Sequence, residues 1–274
     1  MRKNPFRKYR GFFKGEFLNL LAFRFEILIW ALQGFLNIGV MVFLWLAIYK
    51  ENGGASINGF TYLQMITYLV MSALTSQWVT NGVSFHEVGR DISQGNIAVS
   101  LTKPVSYRGK SFFSTLGGMV GNFILFFLPA FLVAEAIFTF GLGLPFPQWS
   151  NLLLYLVAGL AGVVISDSFD FLLAQLGFVT NSLFGIMLIK NAIFSFLSGG
   201  LIPFTFFPAW AQSFLSYLPF SGLASTPVNI LLGRYDLVSS FIYLGVAVGW
   251  AIALYLASVF ANRQMIKHVE SAGG

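Results

Sequence analysis

Ile27 to Tyr49 reads ILIWALQGFLNIGVMVFLWLAIY, an apolar run with no Asp, Glu, Lys or Arg in it. At 1.5 Å of rise per residue such a run makes a helix of about 35 Å, long enough to cross a hydrocarbon core about 30 Å thick. Arg and Lys crowd in front of it, the flank expected of a first span with a cytoplasmic start. A cleaved leader would also begin basic and then turn apolar. Here the apolar stretch is too long and has no small-x-small cleavage site, so the span is expected to be retained.

The rest of the chain agrees with that first segment. Of 274 residues, 57% are hydrophobic and 9% are charged, where a soluble domain carries about 25% charged residues. Phe alone accounts for 32 positions, and apolar runs approaching ~20 residues recur along the chain. The expected fold class is an all-α polytopic membrane protein with six transmembrane helices, at 27–49, 62–80, 112–140, 150–177, 182–202 and 237–260. The domains follow: an amphipathic N-terminal segment over 1–26, a membrane domain over 27–260 and a tail over 261–274.

An even number of spans puts both termini on one side, and the cations say which side. The N-terminal segment (Arg2, Lys3, Arg7, Lys8, Arg10, Lys14, Arg24), the 81–111 loop (Arg90, Lys103, Arg108, Lys110) and the tail (Arg263, Lys267) hold thirteen of the sixteen Lys and Arg. The positive-inside bias therefore predicts two cytoplasmic termini, with Arg108 and Lys110 as anchors at the mouth of the third span. The formal charge of +6 is accounted for by this placement and by anionic lipid, without nucleic acid as a partner. Within residues 5–24, Phe6, Tyr9, Phe13, Phe17 and Leu20 recur at helical spacing beside a basic stripe of Arg7, Arg10 and Lys14. That pattern predicts a helix lying in the headgroup region, apolar side down.

The loop after the second span offers two motifs. Gly109-Lys110-Ser111 ends like a phosphate-binding loop of the form G-x-x-x-x-G-K-[ST], but the first glycine of that pattern is replaced by Pro104. Proline lacks an N–H and fixes φ, so neither the turn nor the donors of a phosphate cradle can form there. Upstream, Phe85, Val88 and Ile92 mark one face of a short helix, while His86, Glu87, Arg90 and Asp91 occupy the others. Gly95 suits its end, and Lys103-Pro104 marks an extended return.

This loop resembles a known family. Asp91 to Ser106, DISQGNIAVSLTKPVS, is similar to the segment I-x-x-G-x-(I/L)-x-x-x-L-x-(R/K)-P-V-S of the integral-membrane permeases of bacterial ATP-binding-cassette exporters of the second export class, the ABC-2 type. A later run, Phe196-Leu-Ser-Gly-Gly-Leu-Ile-Pro203 with Phe207-Pro-Ala-Trp210, Leu218-Pro-Phe220, Pro227 and Gly233, resembles that family's final third. The resemblance implies a permease subunit in the bacterial inner membrane, paired with a second permease copy and with two separate ATPase subunits. ATP and Mg would be used by those partners, and this chain would bind no cofactor or metal and hold no catalytic residue. The loop would carry the coupling helix, with Glu87, Val88, Gly89, Arg90, Asp91, Ile92 and Gly95 on the docking element and Leu101 and Pro104 on the return.

Two further features lie within or beside the spans. Ser198-Gly199-Gly200, Pro203 and Pro208 interrupt the fifth apolar run, and Pro219 and Pro227 follow. Such a segment is expected to form short helices dipping into the membrane between spans five and six, because irregular backbone at that depth must be covered by protein or line a wet cavity. Phe204, Phe206, Phe207, Trp210 and Phe220 would then form an apolar extracellular gate, or simply an outer loop packed on the spans. Asp167 and Asp170 share a face of the fourth span, and an ionisable group in a span is a functional candidate by default. They are expected to line the translocation pathway, or to pair with Lys190 on the next helix or pack at a helix interface; Glu135 stands more isolated, near the outer interface.

The leading function is thus export of an amphipathic or hydrophobic cargo, such as a peptide, lipid-like molecule or drug, driven by a separate ATPase. An ion-gradient-driven secondary transporter using Asp167 and Asp170 is the alternative, although such folds show matching interruptions in both halves and here only the second half is broken. A membrane-embedded enzyme ranks third. The chain has no Cys, its two His are His86 and His268, far apart in sequence, and it carries no nucleophile or zinc motif.

Overall fold

A computed structural model describes residues 5–180 and 183–272. Arg2 and Lys3 of the basic flank, Ser182 at the head of the expected fifth span, and the last two residues of the tail lie outside the described residues, as do the side chains of Phe6, Arg24 and His268. The chain is 81% helical, and no strand occurs among the described residues. A 3-10 turn at Pro5–Lys8 leads into α1 (Arg10–Ala22) and α2 (Arg24–Glu51), followed by α3 (Tyr62–Val79), α4 (Val83–Ser93) and the short α5 (Ile97–Leu101). Next come α6 (Tyr107–Asn122) and α7 (Leu128–Ala136), joined by a π turn at Phe123–Phe127 and closed by a second at Ile137–Gly141. The remainder is α8 (Trp149–Ala174), α9 (Phe184–Leu197), α10 (Ala209–Tyr217), α11 (Ser225–Leu231) and α12 (Leu237–Ala272).

Local chemistry sets these boundaries. Thr61 and Gln64 form a reciprocal capping box at the start of α3, and Ser106 caps α6 by accepting from the Gly109 N–H. Gly95 takes the left-handed conformation expected after α4.

Among the described residues, four helices are long and apolar enough to cross a membrane: Leu32–Glu51, Tyr107–Gly141, Trp149–Phe178 and Leu237–Lys267. The two other expected spans are present as shorter helices. α3 has 18 residues and carries Gln64, Thr67, Ser72, Thr75, Ser76 and Gln77. It nonetheless forms the centre of the bundle, with Met65, Tyr68, Met71, Leu74 and Trp78 fully enclosed and Thr75 sharing a hydrogen bond with Tyr155 of α8 at 2.9 Å. α9 has 14 residues and stops at Leu197, where the Ser198-Gly199-Gly200 break begins.

That break is satisfied from within. The hydroxyls of Tyr68 and Ser72 donate to the Gly199 and Gly200 carbonyls at 2.9 and 3.1 Å, and the Ser225 N–H donates to Ser198 at 3.0 Å. The chain then folds back so that the carbonyl of Gly222 lies against Gly162, halfway along α8, where any Cβ would collide with it. Pro219, Gly222, Leu223, Val228 and Leu231 are buried accordingly.

α1 is held against α6 along much of its length. Tyr9 stacks on Phe113 at 5.0 Å and its hydroxyl accepts from the Ser106 N–H at 3.1 Å. Phe13 lies against Gly117, where a side chain would run into the Phe13 carbonyl, and Leu20 lies over Gly121. The apolar stripe expected to face lipid is therefore seated on a glycine groove of the bundle, the close backbone approach that small residues permit between membrane helices. Arg7, Lys8, Arg10 and Lys14 stay exposed.

Candidate functional site

α4 is short and amphipathic, and each of its faces has a separate assignment. Phe85 and Val88 are buried in a cluster with Tyr107, Phe171, Ala174 and Met265, and Ile92 and Leu101 close its edge. The apolar face that sequence places on the coupling element is thus covered by the chain's own helices α6, α8 and α12. Gly89 is buried as well, against Leu183.

Beneath this face runs a chain of charges at the same end of the bundle. The Arg108 guanidinium is 1% exposed and donates from Nη2 to Asp167 at 2.5 Å and from Nε to Ser258 of α12 at 2.7 Å. It also lies over the rings of Phe171 and Tyr255, 4.8 and 4.9 Å from their centroids. The other Asp167 oxygen accepts from Ser84 at the start of α4 and from Thr115 of α6. Asp167 therefore joins α4, α6 and α8, and Arg108 extends the connection to α12. Asp170 pairs with Lys190 of α9 at 2.7 Å, and the Lys190 ammonium sits 5.0 Å from the Phe85 ring centroid.

A second charged group latches the outer side of α4. Lys110 meets Glu87 at 3.0 Å and Asp91 at 3.1 Å. Asp91 also accepts from Ser100 at 2.9 Å and Tyr107 at 3.1 Å, which folds α5 back onto α4. Burial pushes the Asp91 carboxyl up, but the hydrogen bonds from Ser100 and Lys110 and the Lys110 charge outweigh it and hold it below the usual carboxylate range. His86 is pushed down by partial burial and by the Lys190 and Arg90 charges, so it favours the neutral imidazole.

The expected site residues are thus distributed as follows. Glu87, Val88, Gly89, Asp91, Ile92 and Leu101 turn inward, whereas Arg90, Gly95 and Pro104 are exposed, together with Ser93, Gln94, Val99 and Lys103. Of the expected pathway groups, Asp170 and Lys190 are brought together, and Asp167 is engaged by Arg108. Arg108 and Lys110, expected as anchors at the mouth of the third span, stand in the first turn of α6 and are buried there, paired with acids on α8 and α4. The five aromatic residues expected to form one gate do not assemble. Phe204 and Phe207 share one cluster, Phe206 packs on Trp45 at 5.0 Å, Phe220 stacks on Phe169 at 5.3 Å, and Trp210 is 75% exposed.

Sequence reasoning passed over a polar cavity of about 660 Å³ between α2, α3 and α9, lined by Gln33, Asn37, Ser76, Thr80, Asn191 and Ser195 among others. Its signal was present in the sequence as neutral polar side chains inside three apolar runs. Among the described residues, no group of His, Asp and Glu is arranged to hold a metal ion.

Comparison with known proteins bears on most of the chain. The family model described as ABC-2 family transporter protein matches residues 35–273. No curated protein matches the chain.

Proposed function

We propose, from the premise that this chain belongs to the ABC-2 family of transporter proteins, that it is the permease subunit of an ATP-driven exporter in a bacterial inner membrane. The observation that carries this reading is the two-sided character of α4. One side is bolted by Ser84, Glu87 and Asp91 to buried charges on α6 and α8, while the other presents Arg90, Ser93 and Gln94 uncovered and continues into the exposed Val99, Lys103 and Pro104. A partner that pushes on the uncovered side moves a rigid element whose attachments reach α6, α8, α9 and α12. That is what coupling a partner's ATP cycle to a two-state membrane domain requires.

In this reading the partners are a pair of ATPase subunits, which hold ATP and Mg, and a second permease copy. Both termini and the α4 side lie in the cytoplasm, α3 and α9 complete six spans within the assembled bundle, and the 198–231 segment re-enters from the opposite face. The cavity lined by Gln33, Asn37 and Asn191 offers neutral polar contacts at span depth beside apolar walls, which suits an amphipathic cargo better than a small ion.

The test uses the full complex in proteoliposomes. Arg90→Glu combined with Val99→Asp, both on the uncovered side, is expected to abolish cargo-stimulated ATP hydrolysis and export while the permease remains inserted. Unaltered export with normal complex assembly would overturn the assignment, and gradient-driven transport by the chain alone would favour a secondary transporter.

A further inference from the structure

Glu135 lies on α7, about 40 Å along the Tyr107–Gly141 helix from Arg108 at 1.5 Å per residue, and so at the end of the bundle away from α4. Its side chain is buried, with the residue only 5% exposed. It differs from the two buried aspartates, each of which has a cation: among the described residues no hydrogen bond or ion pair reaches Glu135. Ionisable groups placed in a span without a partner are kept for what they bind.

Glu135 lines a cavity of about 390 Å³ that Arg234 also lines. Among the described residues, Arg234 has no carboxylate in ion-pair contact. Its guanidinium rests 3.5 Å from the Phe60 ring centroid and donates once, to the Gly59 carbonyl at 3.2 Å. The carboxyl and the guanidinium therefore line one cavity without forming an ion pair. Gln64 and Asn151 line the same cavity, and since Gln64 Oε1 accepts from the Thr61 N–H at 3.0 Å, its amide N–H groups are left for a ligand. Phe138 and Phe146 supply apolar walls.

We propose that this cavity binds a zwitterion, with its ammonium group at Glu135 and its phosphate or carboxylate at Arg234. A cation alone would leave the guanidinium unanswered, and an anion alone would leave the buried carboxyl so; a molecule carrying both answers both. The chemistry is that of a zwitterionic phospholipid headgroup or of a free small zwitterion. The inference concerns binding by this chain alone and stands independently of how the chain is energised.

The experiment places the full chain in nanodiscs of phosphatidylglycerol, which has no amine, and titrates glycerophosphoethanolamine by calorimetry. Saturable binding of one molecule per chain is expected, weakened at least tenfold by Glu135→Gln and by Arg234→Gln, with ethanolamine and glycerol phosphate each binding at least tenfold more weakly. In parallel, nanodiscs containing phosphatidylethanolamine are examined by native mass spectrometry. One lipid retained by the wild type and lost in Glu135→Gln identifies the headgroup as the source, whereas binding in the titration alone identifies a free zwitterion. Absence of saturable binding in both arms, or undiminished binding to Glu135→Gln, overturns the proposal. Should Glu135→Gln fail to fold, Arg234→Gln decides in the same way, because it alters a loop residue outside the helix.

Discussion

Replacing Asp167 with Asn tests whether the charge chain under α4 holds the bundle together. The substitution preserves volume and leaves an oxygen for Ser84 or Thr115, but strands the Arg108 charge, whose Nη1 already lacks a partner. Removing one member of a buried pair costs about 3–5 kcal/mol. Ser258 and the Phe171 and Tyr255 rings stay in place around the cation, which puts the expected loss near the lower end, about 3 kcal/mol. At about 2–4 °C per kcal/mol for a chain of this size, the midpoint of thermal unfolding should fall by about 6–12 °C. Arg108→Met should lose a similar amount, since it leaves Asp167 buried with hydroxyl donors only. The double variant has no stranded charge and should recover most of the loss, a non-additivity of at least about 2 kcal/mol. Tryptophan fluorescence of the detergent-solubilised chain during heating reads all four proteins. A midpoint within 2 °C of wild type for Asp167→Asn, or additive losses in the double variant, would refute the reasoning.

Three other expectations concern neighbouring elements. Asp170→Lys and Lys190→Asp should each lower the unfolding midpoint, and the combined swap should restore at least half of the loss; failure to restore it would count against the 2.7 Å pair. Gly117→Val should push α1 off α6 and speed tryptic cleavage at Lys14, whereas Gly15→Ala, which faces open space, should leave the cleavage rate unchanged. The Asp91 carboxyl is depressed in the folded chain, so the stability it contributes is complete above its unfolded value of about 3.9 and is lost as pH falls through the lower folded value. Thermal midpoints should therefore show no pH dependence from this group between pH 7 and 5, and Asp91→Asn should flatten the decline below about pH 4.

Periodicity showed which faces would be covered and left open what would cover them. The Phe85, Val88 and Ile92 stripe and the Tyr9, Phe13 and Phe17 stripe are both legible, the first without the surface it packs on and the second as facing lipid, and both contact the chain's own helices. An amphipathic helix records a dry side in the same letters whether water is excluded by protein or by membrane. The burial of Arg108 and Lys110 was not legible for a related reason. The positive-inside rule counts cations by loop, and the acid that captures Arg108 lies 59 positions away in sequence. The Asp170 and Lys190 pairing was legible because the two sit on consecutive helices joined by a short connection. The aromatic residues between 204 and 220 carried no periodic signal that could sort them, and the structure divides them among separate clusters according to which helix passes each one.

The groove that receives α1 has a consequence for how the protein is made. Phe13 leaves the ribosome about a hundred residues before Gly117, the glycine it will contact. At ~5–20 residues per second, α1 is without its berth for about 5–20 s while α2 to α5 are synthesised behind it. A helix with an aromatic stripe and a cationic stripe can wait at a membrane surface through that interval. The lipid-facing character written into residues 5–24 is then a record of assembly: the membrane is the first surface the helix rests on, and α6 is the second.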